Sequence, residues 1–276
     1  MRNKPTIQII FFSPTGNTRK ICATIANGTQ LPLASPPFLN ISSINLRDKN
    51  KINIAGDIII LGSPVYVETM PKTVFEVIQK LEGQGKWIIP VAVNGNVSFG
   101  RCLEELIGLL RNRGFKILAG AKFVGRNSLS NESLLLGENR PDATDIKRAT
   151  KFGQNLWKKW QEGPEEITIK GSIPEFIQGH PEIRARRMVK IPQIDLILCT
   201  KCRECWAACP VEAIDFDCFT QMDFDLVIDK EKCIRCFACV QSCPFGALTK
   251  ELTMPPEMKA DFDQYTEIYQ KPEIFL

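Results

Sequence analysis

Short apolar runs rich in β-branched residues alternate with segments of helical spacing along the first 163 residues. "TIQIIFF" (6–12) reads as a buried parallel strand broken by a turn, and "TRKICATIAN" (18–27) as a short helix. "ISSINL" (41–46) predicts a second strand and "DIIILG" (57–62) a third. "PKTVFEVIQKL" (71–81) opens on a proline, which a first helical turn tolerates. "KWIIPVAVN" (86–94) predicts the fourth strand, "RCLEELIGLLRNRG" (101–114) a helix stopped by glycine, and "FKILAGAKFV" (115–124) the fifth strand. "PDATDIKRATKFGQNLWKKWQEG" (141–163) predicts a long closing helix with Asp142 or Thr144 as its cap. Strands alternating with helices imply an α/β fold, a doubly wound five-stranded parallel sheet whose ligands sit at the carboxyl ends of the strands. That rule selects three loops: 13–18, 63–70 and 94–100.

Beyond this unit the pattern changes. Residues 164–194 are rich in Pro and Gly and predict a linker, with a short strand at "EITI". Residues 195–254 hold two cysteine runs, and 255–276 form a tail expected to wrap back onto either unit.

The first loop, "SPTGNT", combines Gly16 for a tight turn with hydroxyls from Ser13, Thr15 and Thr18. Pro14 has no N–H, but Thr15, Gly16, Asn17 and Thr18 can aim theirs at an anion, aided by the positive end of the following helix. No lysine follows the glycine and no G-x-G-x-x-G is present, which excludes a Walker loop and gives no dinucleotide signal. Neutral donors suit a phosphate monoester that stays in place. The second loop offers Tyr66 as an aromatic face and the third Phe99, with Asn94 or Asn96 for a polar ring edge. Together they describe a flat, singly phosphorylated ligand.

Ser13-Pro14-Thr15-Gly16-Asn17-Thr18 resembles the FMN-phosphate loop of the flavodoxins, Thr/Ser-x-Thr-Gly-x-Thr. The resemblance covers residues 1–163 and implies strand order 2-1-3-4-5, with Ser63, Pro64, Val65 and Tyr66, and Asn94, Gly95, Asn96, Phe99 and Gly100, flanking the isoalloxazine ring. This half lacks the acidic character of that family. "FVGRNSLS" (123–130) and "GENRPDATD" (137–145) resemble segments of flavodoxin–ferredoxin fusion proteins, where they would form a rim or hinge.

Eight of the eleven cysteines lie in "CTKCRECWAACP" (199–210) and "CIRCFACVQSCP" (233–244). Both read C-x2-C-x2-C-x3-C-P and are offset by 34 residues. The pattern resembles the bacterial two-cluster ferredoxins, an α+β unit whose fourth cysteine ligates the other cluster. The resemblance implies two 4Fe–4S clusters, one on Cys199, Cys202, Cys205 and Cys243, the other on Cys233, Cys236, Cys239 and Cys209. Zinc sites pair C-x2-C units across a longer spacer. Ferredoxins often carry glycine after the second cysteine, where this chain has Arg203 and Phe237; Lys201, Arg203 and Arg235 add positive charge that favours a reduced cluster. Cys22 and Cys102 read as buried small hydrophobes, Cys218 as a structural or surface thiol, and the single histidine, His180, as a linker residue.

Charge divides unevenly. Residues 1–163 carry 22 Lys+Arg against 12 Asp+Glu, and the remainder 13 against 19, which gives the net +4. Opposite halves could attract each other or different partners. No aromatic–basic interleaving argues for nucleic acid, and no apolar run is long enough for a membrane span. Clustered rather than scattered cysteines favour a reducing cytoplasm. A flavin exchanges two electrons and a cluster one, so the pair implies an electron-transfer iron–sulfur flavoprotein with a redox protein partner or a small-molecule donor or acceptor. The alternatives are a flavin-dependent reductase of a small molecule, with Tyr66 and Glu68 the only titratable candidates, and a redox-sensing regulator. The oligomeric state is left open, a homodimer included.

Overall fold

The computed structural model describes residues 4–43, 48–172, 181–215 and 227–276. Strand β1 (Ile7–Phe11) is buried along its whole length. It lies between β2 (Leu33–Asn40) and β3 (Ile58–Pro64), followed outward by β4 (Trp87–Asn94) and the pair β5 (Lys116–Ile117) and β6 (Gly120–Val124). These pairings are parallel, in the 2-1-3-4-5 order. Period-two geometry sends alternate side chains to opposite faces. Ile7, Ile9 and Phe11 of β1 face one core with Ile58, Ile60, Val91 and Val93, covered by α1 (Asn17–Thr29) and α4 (Ala143–Glu162). Ile10, Ile59, Leu61 and Ala92 face the other, covered by α2 (Lys72–Ile78) and α3 (Cys102–Asn112). Each fully buried isoleucine contributes roughly 2–3 kcal/mol of apolar transfer. Cys22 and Cys102 are fully buried in these layers, and burial pushes the Cys22 thiol up to about 12.

Three expectations are corrected. The second strand is at Leu33–Asn40 rather than 41–46, of which 44–46 lie outside the described residues. An edge strand tolerates prolines, and the kinked register around Pro36 and Pro37 is stitched by Gln8, whose Nε2 donates to Pro36 O (2.8 Å) while its Oε1 accepts from Ala55 N (3.0 Å). The fifth strand is broken at 118–119. "EITI" pairs as no strand; it is strapped to α3 by Arg111, whose Nη2 and Nη1 donate to Ile167 O (2.7 Å) and Ile169 O (2.6 Å). His180 and Cys218 lie outside the described residues.

The chain continues through α5 (Pro181–Ala185) into a small unit of two hairpin-like ladders and two short helices. Strand β7 (Gln193–Ile194) pairs with β10 (Leu248–Thr249), and β8 (Ile214–Asp215) with β9 (Val227–Ile228). Helices α6 (Glu204–Ala207) and α7 (Ala238–Ser242) each run between the second and fourth cysteines of a run. Helix α8 (Pro256–Asp263) and β11 (Glu273–Phe275) return the tail to the sheet, where β11 pairs antiparallel with β6. The two units share a core: Ile234, Cys236 and Ala238 pack with Val74, Leu106 and the partly buried Val65 and Tyr66. Among the described residues no ion pair joins 4–163 to 195–254; beside the apolar packing, Lys250 Nζ donates to Ser128 O (2.9 Å) and Gln241 Nε2 to Thr15 O (3.4 Å).

Candidate functional site

Strand β1 delivers the chain into the 13–16 turn, and α1 begins at Asn17. Gly16 holds φ 87°, with nothing within 4 Å of where a Cβ would stand, so its role is conformational. Arg19 N donates to Ser13 Oγ (3.0 Å), which folds the turn onto the helix. Helix α1 has no side-chain cap and no acidic residue in its first turn, so its leading N–H groups keep their positive potential. That donor set fits a phosphate.

Ser13, Pro14, Thr15, Asn17 and Thr18 form one end of a cleft of about 500 Å³. Pro64, Val65 and Tyr66 line it, with Val67 and Glu68 beyond them, as do Asn94 and Gly95 with Val97 and Ser98. Gly125–Leu129, part of the 123–130 segment, complete this wall. Tyr66 and Thr69 close a tight turn through both backbone bonds, with Val67 and Glu68 at φ 45° and 69°. Thr69 Oγ1 donates to the buried Glu105 carboxylate, whose pKa burial pushes up, and Arg101 N donates to Glu68 O (2.9 Å).

Gly16, Ser63, Asn96, Phe99 and Gly100 do not line the cleft. Ser63 is fully buried and donates to Pro64 O (2.9 Å). Phe99 lies beneath Lys122, 5.9 Å from its ring centre. Gly100 packs so closely on Glu68 that a Cβ would meet Glu68 O at 2.1 Å. Asn96 turns to the tail, its Nδ2 donating to Tyr265 O (2.8 Å) and Ile268 O (2.9 Å). Asn94 does likewise, donating to Gln270 Oε1 (3.0 Å), while Gln270 Nε2 donates to Val97 O (2.6 Å).

The opposite wall comes from residues that sequence reasoning missed: Arg184 and Met188 before the cysteine unit, Ile234 and Arg235 within it, and Met258, Phe262 and Tyr265 in the tail. The tail is fixed from below as well. Arg140 forms a buried pair with Asp145 and donates through Nη2 to Gln270 O (2.9 Å), and its guanidinium lies 4.2 Å from the Tyr269 ring centre. Tyr269 OH in turn donates to Asp142 Oδ2 (3.0 Å). The 137–145 segment thus anchors the tail while Asp142 and Asp145 form the capping box of α4.

The structure brings Cys199, Cys202, Cys205 and Cys243 around one small apolar cavity, and Cys209, Cys233, Cys236 and Cys239 around a second. Among the described residues no three ligating side chains close on a single ion. Lys201 and Arg203 hold φ 62° and 65°, and Arg235 and Phe237 hold 56° and 57°. Those left-handed residues on either side of Cys202 and Cys236 make concave turns of backbone N–H groups, and their conformation explains why glycine suits the positions of Arg203 and Phe237. Ala213 N donates to Cys209 Sγ (3.2 Å) and, 34 residues on, Ala247 N to Cys243 Sγ (3.3 Å). Burial pushes the thiols of Cys205 and Cys239 up to about 11 and about 12, so cationic metal is the natural compensation for their thiolates. Both quartets fit a 4Fe–4S cluster.

Residues 198–247 match the family model of the 4Fe–4S dicluster domain. The 7Fe ferredoxin of Hydrogenibacillus schlegelii is 32% identical over 72 residues, 26% of this chain and 86% of that protein. The chain belongs to the ferredoxin family. A ferredoxin of Rickettsia felis is 42% identical over 55 residues, 19% of this chain and 46% of that protein, so this chain spans about half the length of that relative. An archaeal flavodoxin structure covers 56% of this chain and 99% of its own at 16% identity, with a TM-score of 0.40. A flavone reductase covers 59% and 66% at 11% identity, with a TM-score of 0.42. By its sheet order the first unit has a flavodoxin-like fold, and it is joined to a ferredoxin unit that is an iron–sulfur module. Among its described residues no helix is long and apolar enough to cross a membrane.

Proposed function

We propose that this fusion is a cytoplasmic electron-transfer flavoprotein with FMN in the cleft and a 4Fe–4S cluster in each cysteine quartet. The Ser13–Thr18 loop would hold the phosphate, and Tyr66, Asn94 and Gly95 would border the ring. A cluster exchanges single electrons and a flavin two, which is the chemistry these groups supply when bound. One observation carries the reading: Ile234 belongs both to the wall of the cleft and to the wall of the Cys209–Cys233–Cys236–Cys239 cavity. Tyr66 stands on the same boundary, its phenol pushed up by burial and then by the neighbouring Cys236. The quartet completed by Cys243 does not border the cleft. This supports an order of partner, Cys199–Cys243 quartet, Cys209–Cys239 quartet and cleft, in either direction.

The test is anaerobic reduction of the purified protein followed by visible and EPR spectroscopy, with iron, sulfide and flavin quantified. Two cubane clusters and one flavin per chain, all reducible through one another, are expected. A protein that binds no flavin after reconstitution with FMN would refute the reading.

A further inference from the structure

The lining of the cleft carries Arg126, Arg184 and Arg235 against Glu68 and Asp261. All but Arg235 are exposed, and Arg126 is already paired with Glu138 (2.7 Å), so solvent and salt screen their fields. Arg235 is 9% exposed, and its charge acts in a poorly screened interior. Its Nη1 donates to Cys233 O (2.6 Å) and Lys230 O (3.3 Å), which holds the guanidinium to the backbone of the ligand loop. Its Nε is buried and has no partner. Among the described residues no carboxylate pairs with Arg235: Glu231 is taken by Arg186 (2.6 Å), whose own charge opposes that of Arg235. Buried polar groups, and buried charges above all, are ordinarily partnered, so an Nε–H left over on a cleft-lining guanidinium points to a ligand whose charge it offsets. The repeat sharpens this. Lys201 stands at the counterpart position 34 residues earlier with nearly the same backbone, φ 62° against 56°, yet it is exposed and does not border the cleft. The loop therefore does not dictate the burial of Arg235; the wall of the cleft does.

We propose that Arg235 is the counter-charge of the flavin ring, stabilising the ring once it is reduced and so raising its potential, an inference that rests on the flavin reading above. The phosphate loop lies at one end of the cleft, where its neutral donors and the uncapped start of α1 answer the phosphate. Arg235 follows Ile234, which packs in the shared core with Val65 and Tyr66, the loop that would border the ring. A ring that takes up two electrons and one proton gains one negative charge, and a fixed cation beside it favours that form over the oxidised one. A guanidinium suits the task because it stays charged when buried. The side chain that the cysteine spacing alone would assign to the cluster is thus shared: its backbone bonds belong to the ligand loop and its charge to the cleft.

The experiment is an anaerobic redox titration of the fully loaded chain, with the flavin followed by visible absorbance and the clusters by EPR. Arg235→Met keeps the stem and removes the charge. It should lower the two-electron potential of the flavin by about 30 mV or more, which is a loss of about tenfold or more in the site's preference for reduced over oxidised flavin. Affinity for oxidised FMN, read by fluorescence titration, should change by less than that factor. Arg235→Lys keeps the charge and should recover most of the potential. Should Arg235→Met bind less iron, Arg235→Gln retains a donor for Cys233 O without the charge and carries the same expectation. A flavin potential unchanged in both neutral variants would overturn the proposal, as would a fall confined to the clusters, because Arg235 would then serve only them. An equal fall in Arg235→Lys would overturn it too, since packing rather than charge would then set the potential. A chain that binds no flavin after reconstitution with FMN would instead remove the flavoprotein reading, and this proposal with it.

Discussion

Asp145→Ala tests whether the C-terminal tail is a working wall of the cleft. Asp145 is fully buried, and three donors converge on its carboxylate: Arg140 Nε, Arg140 Nη2 (2.6 Å) and Asp142 N (2.9 Å). Its removal leaves the Arg140 guanidinium, itself 8% exposed, with the more distant Asp142 carboxylate (3.8 Å) as its remaining ion-pair partner. Breaking a buried pair from one side costs about 3–5 kcal/mol, and the reciprocal bond of the capping box, Asp142 N to Asp145 Oδ2, is lost with it while the Asp142 cap itself remains. That cost is a large share of the roughly 5–15 kcal/mol that holds a domain together. Arg140 also carries Gln270 O and the Tyr269 ring, and Gln270 is bonded to Asn94 and Val97, so the tail should loosen over the cleft. The expected result is a urea transition lowered by that amount, followed by circular dichroism, together with weaker FMN binding in fluorescence titration. The double substitution Arg140→Met/Asp145→Leu removes both charges and should recover all but about 1–2 kcal/mol. A loss below about 1 kcal/mol for Asp145→Ala, or a double variant no more stable than the single, would refute the reasoning.

Gly16→Val places a β-branched residue at φ 87°, at a cost of about 1–2 kcal/mol, so FMN affinity should fall about tenfold or more with iron content unchanged. Removing iron with a chelator should make residues 195–254 sensitive to limited proteolysis while the sheet unit stays resistant, because the small unit's own core is little more than Cys205, Ile214, Cys239 and Leu248. Lys250 Nζ donates to Ser128 O (2.9 Å) and Ser130 O, joining the two units, and burial pulls its ammonium down to about 8. From there to the ordinary value near 10.5 the unfolded chain binds the extra proton, so stability should rise with pH across that window. Urea midpoints measured from pH 7 to 10 should show that rise, and Lys250→Met should flatten it.

Much of this architecture was legible because the physics behind it is local. β1, β3 and β4 declare themselves as isoleucine- and valine-rich runs, since both faces of a parallel strand are buried. The cysteine spacing and the Ser13–Thr18 hydroxyls are likewise local signals. β2 was illegible because an edge strand carries its prolines without losing ladder bonds, and β11 because three residues, Glu273–Phe275, have no readable period. Phe99 and Asn96 misled because a loop's composition does not say which side it faces; here the tail takes the Asn96 amide that a ring edge would otherwise have used. The far wall of the cleft, from Arg184 to Tyr265, is assembled from segments far apart along the chain and leaves no motif.

The pairing of β11 with β6 also sets an order of assembly during synthesis. The phosphate loop and the sheet leave the ribosome first, but the strand that seals the sheet and the helix that walls the cleft follow both cysteine runs. A flavin captured early would sit in a half-built site, exchanging with the medium. Only after residues 199–243 have emerged can residues 255–276 close over the cleft, so its far wall is completed late.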